Sequence, residues 1–206
     1  MALFASPQTT LLQRQRAKYE TRNPIARLLL KNFLKTFEDL VGVTQARRAF
    51  EVGCGEGELL RCMMDLGLSV SGIDIEKPLL DEAERRLGRL EKFEGVRPQD
   101  LYSLEKQNSA ELIVCCEVLE HLEHPGAALD ILASLATPWL IVSVPREPLW
   151  RIANVVRGKY VAELGNTPTH IQHWSARGFK ALVGQKFNVV EMRKPFPWTI
   201  LLCRAR

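Results

Sequence analysis

Between residues 50 and 60 the chain reads FEVGCGEGELL, an apolar strand that runs into a glycine-rich loop. Three glycines follow the strand at alternate positions: Gly53, Gly55 and Gly57. Glycine is needed where a side chain would block a ligand or where φ is positive, so this loop is predicted to lay a ligand against bare backbone. Dinucleotide-binding loops space their glycines differently, as G-x-G-x-x-G. Two acids at the loop, Glu51 and Glu56, favour a ligand that is cationic there over a pyrophosphate.

The pattern around this loop alternates short apolar runs with helical stretches. Strands are predicted at 48–52, 69–74, near 95–97, 111–116 and 139–144, and helices at 57–66, 77–92, 125–135, 147–163 and 175–184. Continuous apolar strands that alternate with helices are typical of a doubly wound α/β domain, whose parallel sheet is covered on both faces. The last two β-rich runs, Phe187–Arg193 and Thr199–Cys203, are predicted to add a hairpin to the sheet.

The 206 residues are predicted to form a single domain in four parts. These parts are an N-terminal helical lid at 1–45, a ligand-binding core at 46–145, a helical insertion at 146–186 and a β-hairpin at 187–206. The lid contains an amphipathic helix that begins at Asn23-Pro24, because asparagine caps a helix and proline suits its first turn.

A cytoplasmic location is predicted from three features of the chain. There is no run of 18 apolar residues that would predict a membrane span. Residues 1–10 do not have the basic start and apolar stretch of a secretory signal. The five cysteines form no Cys-x-x-Cys pair, which is typical of a reduced compartment and favours neither a disulfide framework nor a thiolate zinc site.

The net charge of +4 combines an acidic middle with two basic ends. Residues 1–50 carry nine Lys and Arg against three acids, residues 51–145 eight against eighteen, and residues 146–206 eleven against three. The basic ends predict an anionic substrate, an acidic membrane surface or RNA as a partner, or else solvated helices without one. At 146–164 apolar and basic residues alternate, which predicts peripheral contact with anionic lipid, a wall for a hydrophobic substrate, or a plain lid helix.

The Glu-x-Gly-x-Gly-x-Gly spacing at 51–57 resembles the first motif of class I S-adenosylmethionine-dependent methyltransferases. Asp74 ends the second predicted strand, 23 residues after Glu51. An acid at that spacing accepts hydrogen bonds from ribose hydroxyls, although it would also cap the next helix. Ile75 is then placed to pack against adenine. The resemblance implies that Asp100 meets the adenine amine, a position that turn chemistry explains as well.

S-adenosylmethionine is the cofactor that this resemblance implies. The implied fold is Rossmann-like, with a seven-stranded, mostly parallel sheet whose final strand is antiparallel. The implied cofactor-binding residues are Glu51, Gly53, Cys54, Gly55, Gly57, Asp74, Ile75, Asp100, Leu101, Cys116 and Arg27.

All four histidines lie in two short segments: His121 with His124, and His170 with His173. The spacing Glu117-x-x-Glu120-His121 lets three side chains converge from one helical turn, and His170 can supply a second nitrogen. Two carboxylates with one or two imidazoles predict a site for Mg²⁺, Mn²⁺, Fe²⁺ or Zn²⁺. The alternative is that His121 acts as a general base for a hydroxyl proton, with Glu120 and His170 completing the catalytic set.

Two groups of methyltransferases are similar to this half of the chain. Small-RNA 3′-terminal 2′-O-methyltransferases share Glu-x-x-Glu-His and a later His-x-x-x-Trp-Ser/Thr, matched at 117–121 and 170–175, and in them these residues hold a metal. The O-methyltransferases of ubiquinone biosynthesis, in the methyltransferase type 11 group, share Glu-Val-Leu-Glu-His, an Asn-Pro-x-x-Arg matched at 23–27, and an insertion before Thr169-His170. The second likeness spans more of the chain and ranks first.

The resemblance implies transfer of a methyl group from S-adenosylmethionine to an oxygen of a small hydrophobic or anionic acceptor. The alternatives are a metal-assisted RNA 2′-O-methyltransferase, a non-catalytic S-adenosylmethionine-binding protein and a nicotinamide oxidoreductase, which the glycine spacing and Glu51 disfavour. Trp198 is predicted to wall the mouth of the site or to pack between the final strands.

Overall fold

Seven strands form one sheet in the computed structural model, which describes residues 23–149 and 169–206. The strands are β1 (Arg48–Val52), β2 (Ser69–Asp74), β3 (Phe93–Pro98), β4 (Ala110–Cys116), β5 (Ala136–Pro145), β6 (Phe187–Arg193) and β7 (Trp198–Ala205). Their order across the sheet is β3-β2-β1-β4-β5-β7-β6. The strands β1 to β5 pair in parallel, and β7 runs antiparallel to both of its neighbours. The predicted α/β fold with an antiparallel final strand is confirmed.

Helices cover both faces of this sheet. They are α1 (Pro24–Thr44), α2 (Glu58–Asp65), α3 (Lys77–Leu87), α4 (Pro125–Leu135) and α5 (Ala176–Val183). One buried apolar cluster contains residues of α1, α2 and α3, and the other contains residues of α4 and α5. Short 3₁₀ turns lie at Leu101–Ser103, Lys106–Asn108 and Leu119–His121. Within the two described ranges, no helix is long and apolar enough to cross a bilayer.

The first described helix begins where the sequence predicts. The Asn23 side chain accepts hydrogen bonds from the backbone N–H groups of Ile25 and Ala26, at 2.9 and 3.3 Å, and Pro24 occupies the first turn. The buried face of α1 is formed by Phe33, Phe37, Leu40, Val41 and Thr44. This amphipathic helix therefore packs on the same face of the sheet as α2 and α3.

Two element boundaries differ from the predictions by more than two residues. The helix predicted at 77–92 ends at Leu87, after which two backbone turns lead to Phe93 at the start of β3. The strand predicted from 139 begins at Ala136, although Pro138 interrupts the pattern. Its first residues are held on β4, since Ala136 pairs with Ala110 and the Thr137 hydroxyl donates to the Ala110 carbonyl. Most of the helix predicted at 147–163 and of the basic segment at 146–164 lies outside the described residues.

Candidate active site

A cavity of about 630 Å³ opens at the carboxyl ends of the parallel strands. Ligand sites of open α/β sheets lie at this edge, and their volumes are of this order. Its wall is formed by the loops that follow β1, β2, β3 and β4, by Leu30 and Phe33 of α1, and by Thr169 and Trp198. The predicted cofactor loop and the predicted acceptor side thus share one cavity.

The glycine loop forms the floor of this cavity. The glycines at 53, 55 and 57 have φ of 75°, 51° and 81°, which a residue with a side chain adopts only under strain. A Cβ added at Gly53 would lie 2.3 Å from Cγ2 of Val118, so the loop after β4 packs directly on the glycine backbone. The N–H groups of Gly53 and Cys54 donate to the Ile73 carbonyl at 2.8 and 2.9 Å. These contacts hold the loop against the end of β2.

Glu51 places a buried carboxylate beside this loop. Its side chain is only 3% exposed, and among the described residues its Oε2 atom has no hydrogen-bond partner. Burial, with the nearby charge of Asp74, raises the pKa of Glu51 well above its usual range. A cationic group in the cavity would offset this unfavourable charge. The buried carboxylate of Glu51, which accepts hydrogen bonds and carries negative charge, therefore fits the sulfonium and ammonium groups of S-adenosylmethionine.

Asp74 joins the glycine loop to the start of α3. Its Oδ2 accepts a hydrogen bond from the N–H of Gly55 at 2.8 Å, and its Oδ1 accepts one from the N–H of Glu76 at 2.9 Å. The residue therefore acts as a turn cap, and it also lines the cavity, where the ribose contact is predicted. Ile75 is 71% exposed and lines the cavity next to Asp74, and its contact with adenine stays a prediction.

Of the other predicted cofactor residues, some line the cavity and two do not. Asp100 accepts a hydrogen bond from the N–H of Tyr102 at 2.8 Å, so it caps a 3₁₀ turn at the cavity wall, and Leu101 is buried beside it. Cys54 and Cys116 also line the wall, and burial raises the pKa of both thiols, so they stay neutral. Two predicted residues are not among the described lining of the cavity: Arg27, exposed on α1, and Gly57, the N-cap residue of α2.

Three of the four predicted metal or catalytic residues come together. One ligand atom each of Glu120, His121 and His170 lies within 4.8 Å of the others. The rings of His121 and His170 meet edge to face with their centroids 4.9 Å apart. Glu120 and His170 are buried, whereas His121 is 38% exposed at its side chain and lines the cavity.

The segment that follows Thr169 docks on the 3₁₀ turn of residues 119–121. The backbone carbonyl of Glu120 accepts hydrogen bonds from the N–H groups of Ile171 and Gln172, both at 3.0 Å. The Gln172 side chain donates to the Leu122 carbonyl at 3.2 Å. Nδ1 of His121 lies 2.8 Å from the Thr169 carbonyl oxygen. Its other ring nitrogen, Nε2, lies 4.0 Å from Oε1 of Glu120. These backbone contacts bring His170 to His121.

Glu117, the fourth predicted ligand, does not join this cluster. Its Oε1 accepts a hydrogen bond from the Ser143 hydroxyl at 3.0 Å, and its Oε2 accepts one from Nε1 of Trp198 at 2.7 Å. The backbone at Glu117 is left-handed, with φ of 60°. Glu117 lines the cavity on the side of Trp198 and Phe33, whose rings lie 5.1 Å apart.

Sequence reasoning did not assign Phe33, Leu30 or Ser143 to the site. The first two lie on the apolar face of α1, which predicts core packing, and Ser143 lies inside a buried strand. His124 precedes α4 as its N-cap residue and is not part of the three-residue cluster. Only the arrangement of the strands at the carboxyl edge of the sheet distinguishes Phe33, Leu30 and Ser143 from ordinary core positions.

Comparison with known proteins identifies the family. A model described as a methyltransferase domain matches residues 12–190. The ubiquinone biosynthesis O-methyltransferase of Bordetella avium is 31% identical over 147 residues, which cover 66% of this chain and 59% of that protein. The chain therefore spans less than two thirds of this curated relative.

Solved structures agree with the fold. Magnesium protoporphyrin IX methyltransferase from Synechocystis PCC 6803, with bound SAH, aligns with a TM-score of 0.74 at 21% identity, over 97% of this chain and 96% of that one. The N-methyltransferase NodS from Bradyrhizobium japonicum WM9, also with SAH, aligns with a TM-score of 0.69 at 16% identity, over 96% and 98%. The chain belongs to the methyltransferase domain family, and the order of its sheet agrees with the fold of class I S-adenosylmethionine-dependent methyltransferases.

Proposed function

We propose that the protein methylates an oxygen atom of a small hydrophobic or anionic acceptor, with His121 as the general base. The observation that carries this proposal is that His121 lines the same cavity as the Glu51 glycine loop. The relative named for O-methylation in ubiquinone biosynthesis supports the choice of oxygen.

S-adenosylmethionine, when bound, supplies a methyl group that its sulfonium already activates for SN2 transfer. The chain has to orient the reactants and exclude water, and both effects depend on the walls of the cavity. Glu51 would meet the cationic part of this cofactor. Asp74, Ile75 and Asp100 would hold its adenosine part, in agreement with their positions on the wall.

The hydrogen bonding of His121 suits a base. A carbonyl oxygen only accepts hydrogen bonds, so the Thr169 contact requires a proton on Nδ1 and leaves Nε2 able to accept one. His121 would take the hydroxyl proton of the acceptor while the acceptor oxygen bonds to the methyl carbon and the carbon–sulfur bond breaks. Glu120, with Oε1 at 4.0 Å from Nε2, would stabilise the imidazolium that forms.

A metal-assisted reaction is the second candidate, which the cluster of Glu120, His121 and His170 favours. One carboxylate and two imidazoles suit Zn²⁺, Fe²⁺ or Mn²⁺ better than Mg²⁺. These three residues would hold the ion, whereas Glu117 is hydrogen bonded to Ser143 and Trp198. A metal here would supply Lewis acidity to an acceptor hydroxyl. An RNA 2′-O-methyltransferase would use such a site, and the basic ends of the chain support that acceptor class.

One experiment tests acceptor and metal together. The protein is incubated with methyl-labelled S-adenosylmethionine and fractionated extract, with and without a chelator, and the labelled fraction is identified. Label that appears in a small molecule, and still appears when the chelator is present, supports His121 as the base. Label lost on chelation supports the metal. Label in RNA, with strong dependence on salt, would overturn the small acceptor. Cofactor binding without label in any fraction would support a non-catalytic S-adenosylmethionine-binding protein.

A further inference from the structure

We propose that Trp198 is a positioning residue that fixes Glu117 and, through it, the loop that carries His121. Trp198 lies in β7, whereas Glu117 and His121 follow β4, so the contact joins separate parts of the cavity wall. The inference rests on the proposed function and concerns how its base is held in place.

Both carboxylate oxygens of Glu117 are held by donors. Nε1 of Trp198 donates to Oε2 at 2.7 Å, and the Ser143 hydroxyl donates to Oε1 at 3.0 Å. The backbone N–H of Glu117 also donates to the Ser143 carbonyl, at 3.1 Å. Hydrogen bonds to an ionised acceptor are stronger than those between neutral groups. The side chain and the main chain of Glu117 are therefore fixed to β5 and β7 together.

The backbone conformation of Glu117 determines the path of the following residues. Its φ of 60° is unfavourable for a residue with a Cβ atom, so the surrounding contacts must hold it. Directly after it, Val118 lies over Gly53, where an added Cβ would be 2.3 Å from its Cγ2. His121 closes the turn by donating from its N–H to the Val118 carbonyl at 3.0 Å. The backbone of Glu117 therefore determines both how Val118 packs on the glycine loop and where the turn that carries His121 begins.

Trp198 is suited to hold this geometry because it belongs to the rigid sheet. It begins β7 and pairs with Pro145 of β5, and its side chain is almost completely buried. Its ring lies 5.1 Å from the ring of Phe33, which lines the cavity from α1. A site supported by regular elements is held more precisely than one supported by loops. The indole N–H is thus a fixed donor against which Glu117 is oriented.

The test uses Trp198→Phe, which keeps an aromatic ring beside Phe33 and removes the N–H donor. The matched control is Trp139→Phe in β5, where the tryptophan ring lies 5.6 Å from the Arg204 guanidinium and outside the described cavity lining. We expect Trp198→Phe to lower kcat by about 10- to 100-fold, because small displacements of a catalytic group have effects of this size. KM for S-adenosylmethionine and the dissociation constant of S-adenosylhomocysteine should stay close to those of the control.

A double-mutant cycle with Glu117→Gln separates positioning from a general structural role. If Trp198 acts through Glu117, the double variant is no slower than Glu117→Gln alone. Equal kcat in Trp198→Phe and Trp139→Phe, or independent additive losses, would overturn the proposal. Should Trp198→Phe fail to fold, Glu117→Gln alone decides: kcat must fall while S-adenosylhomocysteine still binds.

A measurement that needs no turnover separates this proposal from the proposed function. In ¹⁵N-labelled protein, the indole N–H resonance of Trp198, assigned by its loss in Trp198→Phe, should exchange slowly with solvent and move upfield in Glu117→Gln. A fast-exchanging, unshifted resonance would contradict the hydrogen bond even in an active enzyme. An inactive wild type with the expected resonance would contradict the proposed function alone.

Discussion

Nδ1 of His121 lies 2.8 Å from the backbone carbonyl oxygen of Thr169, although 48 residues separate the two in sequence. This contact determines the tautomer of the imidazole, since the carbonyl can only accept a hydrogen bond. It also brings the segment of His170 against the turn of Glu120. The side chain with access to the cavity is therefore oriented by the backbone of a distant part of the chain.

His121→Ala is expected to lower kcat by about 10²- to 10⁴-fold, the usual contribution of a general base. The dissociation constant of S-adenosylhomocysteine, measured by calorimetry, should not change, because the proposed function assigns His121 to the acceptor. His124→Ala, at the N-cap of α4, is the matched control and should retain full turnover. Unchanged turnover in His121→Ala would remove this residue from the reaction.

His170→Ala distinguishes the base from the metal. His170 is buried behind His121 and is not among the described cavity-lining residues. If His121 acts as a base alone, we expect a loss in kcat of at most about 100-fold, smaller than that of His121→Ala, because His121 is then only displaced. A loss as large as that of His121→Ala, together with inhibition by a chelator and recovery with Zn²⁺ or Mn²⁺, would instead establish the metal.

Glu51→Gln is expected to raise the melting temperature of the ligand-free protein at pH 7. The pKa of Glu51 is raised in the folded state, mainly by burial. At a pH above the ordinary glutamate pKa of about 4.5 the unfolded chain releases this proton more readily than the folded chain, so the wild type loses stability as the pH rises. The advantage of the variant should therefore grow as the pH rises toward neutral and shrink as the pH falls toward the ordinary glutamate pKa of about 4.5.

The same substitution should weaken binding of S-adenosylmethionine, because a neutral amide no longer offsets a cation. We expect the dissociation constant to rise by about tenfold or more, as for a lost hydrogen bond to a charged group. Glu123→Gln, at an exposed position, is the matched control and should change neither property. A variant that binds as tightly as the wild type would exclude Glu51 from cofactor recognition.

Gly53→Ala should destabilise the fold by about 2–4 kcal/mol, since it combines a positive φ with overpacking. The added Cβ would lie 2.3 Å from Cγ2 of Val118, so Val118→Ala should restore part of the loss. Gly42→Ala is the control: it is exposed in α1, an added Cβ meets nothing within 4 Å, and it should stabilise by about 0.5–1 kcal/mol. Chemical denaturation measures the free energy of unfolding of the wild type, Gly53→Ala, the double variant with Val118→Ala, and Gly42→Ala. A Gly53→Ala variant as stable as the wild type would contradict the close approach of Val118 to Gly53.

Cys62 should react slowly with alkylating reagents near neutral pH. Burial, followed by the charge of Glu38 and its hydrogen bond with the thiol, raises the pKa of Cys62 to about 12. Because the thiolate is the nucleophile, its alkylation rate should rise about tenfold per pH unit without levelling near pH 9. Glu38→Gln should increase the rate at pH 8, as followed by mass spectrometry of the Cys62 peptide. A rate that levels near pH 9 would contradict the raised pKa.

The sequence by itself determined the features that depend on short-range patterns. Three alternate glycines after an apolar strand predict the ligand loop, and the distance from Glu51 to Asp74 follows from one β–α–β unit. Asn23-Pro24 determines the start of α1, because capping involves only neighbouring residues. The end of α3 at Leu87 and the start of β5 at Ala136 were not predicted. Both depend on how the chain meets the sheet, as in the pairing of Ala136 with Ala110 of β4.

The tertiary structure decided which polar groups meet. The spacing Glu117-x-x-Glu120-His121 predicts three converging side chains, but Glu117 turns toward Ser143 and Trp198, which are 26 and 81 residues away. Hydrogen bonds of this kind depend on the order of strands across the sheet, and no local periodicity encodes that order. For the same reason His170 reaches His121 only through the backbone contacts of residues 169–172 with the turn after β4.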